Sequence, residues 1–243
     1  RHFVTIDGRW GPRQVHYRRA GAGPAVVLLH QSPQSSRELV DLMRRWAPHF
    51  TLIAPDTPGY GQSDPLGPAV VPIEDFGAAL GEFVDAIGLG RFGVYGYHTG
   101  ASVGLWLAAQ QPERVTAMAA NGLAQFTDAE RRVIRERYLP PVVPAWDGSH
   151  LTWMWARVRE QAIFFPWHER YAAARMEFDI PPADRLQAGL MEFLRAGDNY
   201  GIAYLAAFES RPETVLPTLR VPLRVTSANG DPLQVQLGLR AKF

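Results

Sequence analysis

Along the first half of the chain the apolar positions fall into short runs separated by stretches of helical period and by glycine- or proline-rich breaks. Residues 25–30 (AVVLLH), 51–54 (TLIA) and 92–95 (FGVY) are β-branched or aromatic runs too short for helices, and they read as buried strands. Residues 3–6 and 14–20 read as an opening antiparallel pair, and residues 115–119 as a further strand. Between them the spacing changes. Leu39, Leu42, Met43 and Trp46 share one helical face. So do Phe76, Leu80, Phe83, Val84 and Ile87 in residues 73–87, a helix stopped by Gly88. Residues 101–110 (ASVGLWLAAQ) form a helix rich in Ala and Leu. Strands alternating with helices predict an α/β fold: a mostly parallel twisted sheet flanked by helices on both faces.

From about residue 125 to 213 the strand signal stops and four or five helices are expected. Thr127-Asp128-Ala129-Glu130 is a capping box that opens the first. A second covers residues 151–165, another begins near Trp167, one spans 182–196 and is stopped by Gly197, and the last covers 200–208. Residues 223–227 then read as a return strand. The expected division is a core of residues 1–124 and 214–243, with an all-helical insert over 125–213.

The length of 243 residues and 47% hydrophobic composition suit one large domain with an inserted subdomain. The net charge is +1 and the basic residues are scattered, which argues against nucleic acid as a partner. There are no cysteines, so disulfides and thiolate chemistry are excluded. No apolar run reaches the ~20 residues of a membrane span and the N-terminal stretch has no signal-peptide core, so a cytoplasmic protein with no membrane partner is expected. A homo-oligomer remains open.

The chemistry centres on Gly96-Tyr97-His98-Thr99-Gly100, between a predicted strand and a predicted helix. Small residues on both sides let the backbone turn sharply and lift the central side chain above the sheet; such a turn normally presents a serine, and here it presents histidine. Upstream, the strand ending at His30 runs into Gln31-Ser32-Pro33-Gln34, and the strand ending at Ala54 runs into Pro55-Asp56-Thr57-Pro58-Gly59-Tyr60-Gly61-Gln62-Ser63-Asp64. These motifs, in this order, resemble the α/β-hydrolase family, in which a strand ending HG-x-P, a PD-x-x-G-x-G-x-S loop and the nucleophile elbow follow one another. The resemblance covers nearly the whole chain, and it implies that the helical insert is a lid over the substrate.

That resemblance also implies roles. His98 takes the nucleophile's place, the backbone N–H groups of Thr99 and Ser32 form the oxyanion hole, and Asp231 stands where the family carries its catalytic acid. Gln31 replaces the usual glycine of the strand-end pair. A family member also needs a further strand, a histidine-bearing loop and a closing helix after the acid. The last histidine given is His168, so those segments are expected beyond the residues given.

Three roles are open to His98: general base toward water or a substrate proton, nucleophile forming a short-lived acyl-imidazole, or polar wall of a ligand pocket. The Ser32 hydroxyl is a candidate displaced nucleophile, and His30 is expected to tie down its own loop. Asp147 or Ser149 reads as the helix cap, with the tryptophans as lid core. In a sharper alternative Asp147 or His150 faces His98, while Tyr97, Gln31, Trp153, Phe164, Phe165 and Trp167 bind substrate. No metal is expected, because His98, His150, Asp147 and Asp231 lack the spacing of a metal motif, and no cofactor is expected, because no phosphate-cradling loop is present. The function expected is hydrolysis of a small apolar or aromatic ester or lactone. The alternative is a binding protein that keeps the pocket without turnover.

Overall fold

In the computed structural model, residues 1–227 are described. Among these residues the sheet holds seven strands: β1 (His2–Gly8), β2 (Gly11–Ala20), β3 (Ala25–Leu29), β4 (Thr51–Pro55), β5 (Phe92–Tyr97), β6 (Val115–Asn121) and β7 (Leu223–Thr226). Their spatial order is β1-β2-β4-β3-β5-β6-β7. The β1–β2 and β2–β4 pairs are antiparallel; the other four pairs are parallel. Among the described residues eight α-helices accompany them: α1 (Val40–Trp46), α2 (Ile73–Ala86), α3 (Thr99–Gln110), α4 (Asp128–Arg137), α5 (Ser149–Gln161), α6 (Ala183–Ala196), α7 (Ile202–Glu209) and α8 (Pro212–Val215). The mostly parallel, helix-flanked sheet that the alternation predicts is the architecture observed.

The central strands are buried on both faces because helices cover both. Val27 and Leu28 on β3 and Leu52 and Ala54 on β4 have no exposed surface. One face carries α2 and α3, whose Phe76, Phe83, Leu105 and Leu107 reach the main core. The other carries α1, where Leu39 and Met43 pack against Leu28 and Leu52. Helix α3 runs across the sheet with nearly all of its first two turns buried, which explains why its sequence shows little polar periodicity.

Helices α4 to α8 lie between β6 and β7, four of them within residues 125–209. The capping box at α4 is present: Thr127 Oγ1 accepts from the Glu130 amide, and Glu130 accepts from the Thr127 amide. No α-helix begins near Trp167. Instead α5 ends at Gln161, Phe164 bridges to Arg175, and a short 3₁₀ turn covers Ala172–Ala174. Pro166 accounts for the break, since its ring lacks an N–H and disfavours helical backbone at Phe165. Trp167 is buried by tertiary packing, with Phe126, Ile134, Tyr138 and Phe208 in a second apolar cluster and its indole N–H bonded to the Tyr138 carbonyl at 2.9 Å. Among the described residues no helix is long and apolar enough to cross a membrane.

Candidate active site

The turn between β5 and α3 is held by its backbone. His98 has φ 49° and ψ −110°, and among the described residues it is the one non-glycine residue with positive φ. Such a conformation costs about 1–3 kcal/mol and persists only where the surroundings over-determine it. They do so here. The His98 amide donates to the Asn121 carbonyl at 2.8 Å, and its carbonyl accepts from Ala101 at 2.8 Å and Ser102 at 3.2 Å. A Cβ at Gly96 would lie 2.4 Å from the Gly100 carbonyl oxygen, and one at Gly100 would lie 2.4 Å from the Leu29 carbonyl oxygen. Both glycines are therefore needed for the chain to turn against its own backbone. The imidazole packs edge-on to Tyr97, with ring centroids 4.3 Å apart.

His98 opens onto a cavity of about 240 Å³. Gln31, Tyr97, His98, Thr99 and Ser102 form its floor. Its roof comes from the helical segment: Phe126, Phe165 and Phe208 are apolar, and Tyr138, Gln161 and Tyr204 carry polar groups. Among the described residues no carboxylate lines it. Thr99 is the first residue of α3, where amides have no acceptor within the helix and stand at the positive end of its dipole, so the floor favours a developing negative charge.

The loop after β3 is built from hydrogen bonds rather than apolar contacts. His30, fully buried, donates from Nδ1 to the Gln31 carbonyl at 2.9 Å and accepts at Nε2 from the Thr57 amide at 3.0 Å, which fixes its tautomer and makes it a structural tie. Glu38 grips Gln31 twice, accepting from its backbone amide at 3.2 Å and its side-chain amide at 2.5 Å. Burial pushes the Glu38 carboxyl above the usual range, against the pull of the Gln31 hydrogen bond and of nearby His30 and His98. Beneath lies Asp56, 2% exposed, whose carboxylate faces His16 Nδ1 at 2.8 Å and accepts from the amides of Ser36 at 2.7 Å and Gln62 at 2.9 Å. Burial opposes its charge, but the His30 ring and the hydrogen bonds from Ser36 and Gln62 outweigh it and hold the carboxyl below its ordinary range.

Of the residues singled out by sequence, Gln31, Tyr97, His98 and Thr99 meet at the cavity. Ser32 does not line it. The Tyr60 hydroxyl lies 3.0 Å from Ser32 Oγ and 2.8 Å from the Tyr200 carbonyl. A carbonyl can only accept, so the Tyr60 hydrogen goes there and the Ser32 hydroxyl donates to Tyr60. Asp147 is an exposed cap on the Ser149 amide at 3.0 Å, and that hydrogen bond lowers its carboxyl pKa. His150 accepts from the Ala145 amide at 3.0 Å. Trp153 meets Trp167 edge-on at 6.1 Å, and Phe164 pairs with Arg175, so neither indole nor Phe164 lines the cavity; Phe165 does. Asp231 lies outside the described residues.

Sequence reasoning overlooked Glu38, Tyr138, Gln161 and Tyr204. Tyr204 and Phe208 were open to discovery, since residues four apart on a helix share a face, and their rings stack at 5.2 Å. The other three reach the site through contacts between distant segments, which leave no local signal.

A model of the alpha/beta hydrolase fold family matches residues 24–160. An uncharacterized hydrolase of Saccharomyces cerevisiae is 30% identical over 135 residues, 55% of this chain and 45% of that protein. Haloalkane dehalogenase 2 of Mycobacterium bovis is 30% identical over 116 residues, 46% of this chain and 41% of that protein. The matches thus span less than half the length of these curated relatives. The crystal structure of an alpha/beta hydrolase from Sphaerobacter thermophilus superposes with a TM-score of 0.60 at 25% identity, covering 94% of this chain and 83% of that one.

Proposed function

Because the chain belongs to the alpha/beta hydrolase fold family, we propose that it hydrolyses a small apolar or aromatic ester or lactone, with His98 as the reacting side chain and the helices of residues 125–213 as a lid. The observation that carries this reading is an imidazole held in a strained turn at the mouth of a 240 Å³ cavity, beside the first amides of α3. Backbone strain of this kind persists where it aims a side chain at a ligand.

In the general-base route His98 takes a proton from water, the hydroxide adds to the carbonyl carbon, and the Thr99 amide at the start of α3 receives the oxyanion. The proton then passes to the leaving alkoxide as the C–O bond breaks. In the nucleophilic route the imidazole nitrogen itself adds and expels the alkoxide, and water cleaves the acyl-imidazole. Asp231 would orient the imidazole in either route. Single-turnover spectroscopy separates them, since only the second accumulates an acyl-imidazole.

The test is a series of aryl acetates with the parent and His98→Ala. Loss of about 10²–10⁴ in kcat/KM is expected for the variant. Equal rates would remove His98 from the mechanism. Rates for both no higher than in buffer alone would favour the second reading, ligand binding without turnover, to which the Glu38 clamp on Gln31 at the strand-end loop also points, because it fills the place where the family keeps glycine.

A further inference from the structure

The roof of the cavity holds a buried cation with no carboxylate beside it. Arg157, on α5, is 1% exposed. Its guanidinium carbon sits 4.6 Å from the ring centre of Phe193, 4.9 Å from that of Trp167 and 5.8 Å from that of Tyr138. Its N–H groups donate to Gln161 Oε1 at 2.5 Å and to the Tyr138 carbonyl at 3.4 Å, and no ion pair joins it to a carboxylate among the described residues. A charge buried this way is costly unless something offsets it.

Its hydrogen bonds lead toward the cavity. Arg157 donates to the Gln161 carbonyl oxygen, and the Gln161 amide donates to the Tyr204 hydroxyl oxygen at 2.9 Å. The Tyr204 ring meets that of Tyr138 edge-on, with centroids 5.7 Å apart. Each link donates in the same direction, so each polarises the next. The Tyr204 hydroxyl oxygen accepts from Gln161 and so keeps its own hydrogen to donate, and both tyrosines line the cavity. Burial raises the Tyr138 hydroxyl well above its usual pKa, which keeps it a donor. The floor contributes the N-terminal amides of α3, and no described carboxylate lines the wall to satisfy either set of donors.

We propose that the Arg157–Gln161–Tyr204 relay recognises an anionic group, and that the substrate is a small aromatic carboxylate whose carboxylate accepts from the Tyr204 and Tyr138 hydroxyls in the cavity wall while its ester or lactone carbonyl faces His98. The second half of this statement rests on the hydrolase reading above; the first does not. The size agrees, since an apolar cavity of about 150 Å³ accepts a benzene ring, and 240 Å³ leaves room for a substituted one.

The test is calorimetric titration of the intact protein with benzoate and, in parallel, with benzamide, which has nearly the same shape without the charge. Benzoate is expected to bind about tenfold more tightly. In Tyr204→Phe and Gln161→Leu the preference should disappear, with benzoate bound no more tightly than benzamide by the same variant. No benzoate binding, no preference over benzamide, or a preference that survives both substitutions overturns the inference. Binding needs no turnover, so the two ideas fail separately. Hydrolysis indifferent to His98→Ala with the benzoate preference intact sinks only the catalytic reading, whereas His98-dependent hydrolysis without that preference sinks only this one.

Discussion

The floor and the roof of the cavity are built by different means. The floor is fixed by main chain: His98 is pinned through its amide and carbonyl, Gly96 and Gly100 admit no Cβ, and Asp56 gathers amides from the adjoining loops. The roof is fixed by side chains: Arg157 is buried among aromatic rings, Arg131 is buried with the Phe208 and Ser210 carbonyls and the Asp128 carboxylate as its partners, and Tyr138, Tyr204 and Phe208 pack ring on ring. Main-chain constraint sets where a reacting atom stands to a fraction of an ångström. Side-chain packing sets size and polarity, which can change without moving the turn.

Substitutions should divide along this line. The largest effect is expected from Asp56→Asn, which leaves buried donors facing an amide and should cost about 3–5 kcal/mol in urea unfolding. The pH dependence has a definite sign. Because the folded-state pKa of Asp56 is depressed, its contribution is present above the ordinary carboxylate range and is lost as pH falls through the folded value. Acidification through that window should narrow the gap between parent and variant; a gap that widens would contradict the assignment.

Gly100→Ala comes next, at about 2–3 kcal/mol, because the added carbon meets the Leu29 carbonyl rather than a movable side chain. Turnover should fall with it even where the protein remains folded. Arg131→Met, in the roof, removes donors from the Phe208 carbonyl at 3.3 Å and the Ser210 carbonyl at 3.1 Å, and should cost about 2 kcal/mol. Its kinetic signature should be a raised KM with kcat kept. A collapse of kcat at unchanged KM would erase the distinction between floor and roof. Thr127→Ala, which deletes the α4 cap, should cost about 1 kcal/mol by thermal unfolding and leave kcat untouched.

The same division explains what could be read from the chain alone. The strands around residues 25–30, 51–54 and 92–95, the glycine frame of His98 and the capping box at Thr127 are local patterns whose physical causes lie within a few residues. The roof is not local. Nothing near Trp167 announces that its indole will seek the Tyr138 carbonyl, and nothing near Arg157 announces that its charge will be met by three rings and an amide. Phe164 and Phe165 read alike as substrate-binding, and only Phe165 lines the cavity, since adjacent residues point to opposite sides and the period alone cannot say which side is the cavity. Asp147 and His150 carry the right chemistry, but short-range hydrogen bonds to Ser149 and Ala145 engage them locally.

The turn at His98 behaves as a socket whose shape is independent of what is plugged into it. Its strain is imposed by Gly96, Gly100, Leu29 and Asn121, none of which touches the chemistry carried by the side chain. A serine, cysteine or aspartate would inherit the same backbone angle and the same view of the cavity. An evolving gene could therefore exchange one chemical head for another by a change at a single codon, with folding left nearly as it was.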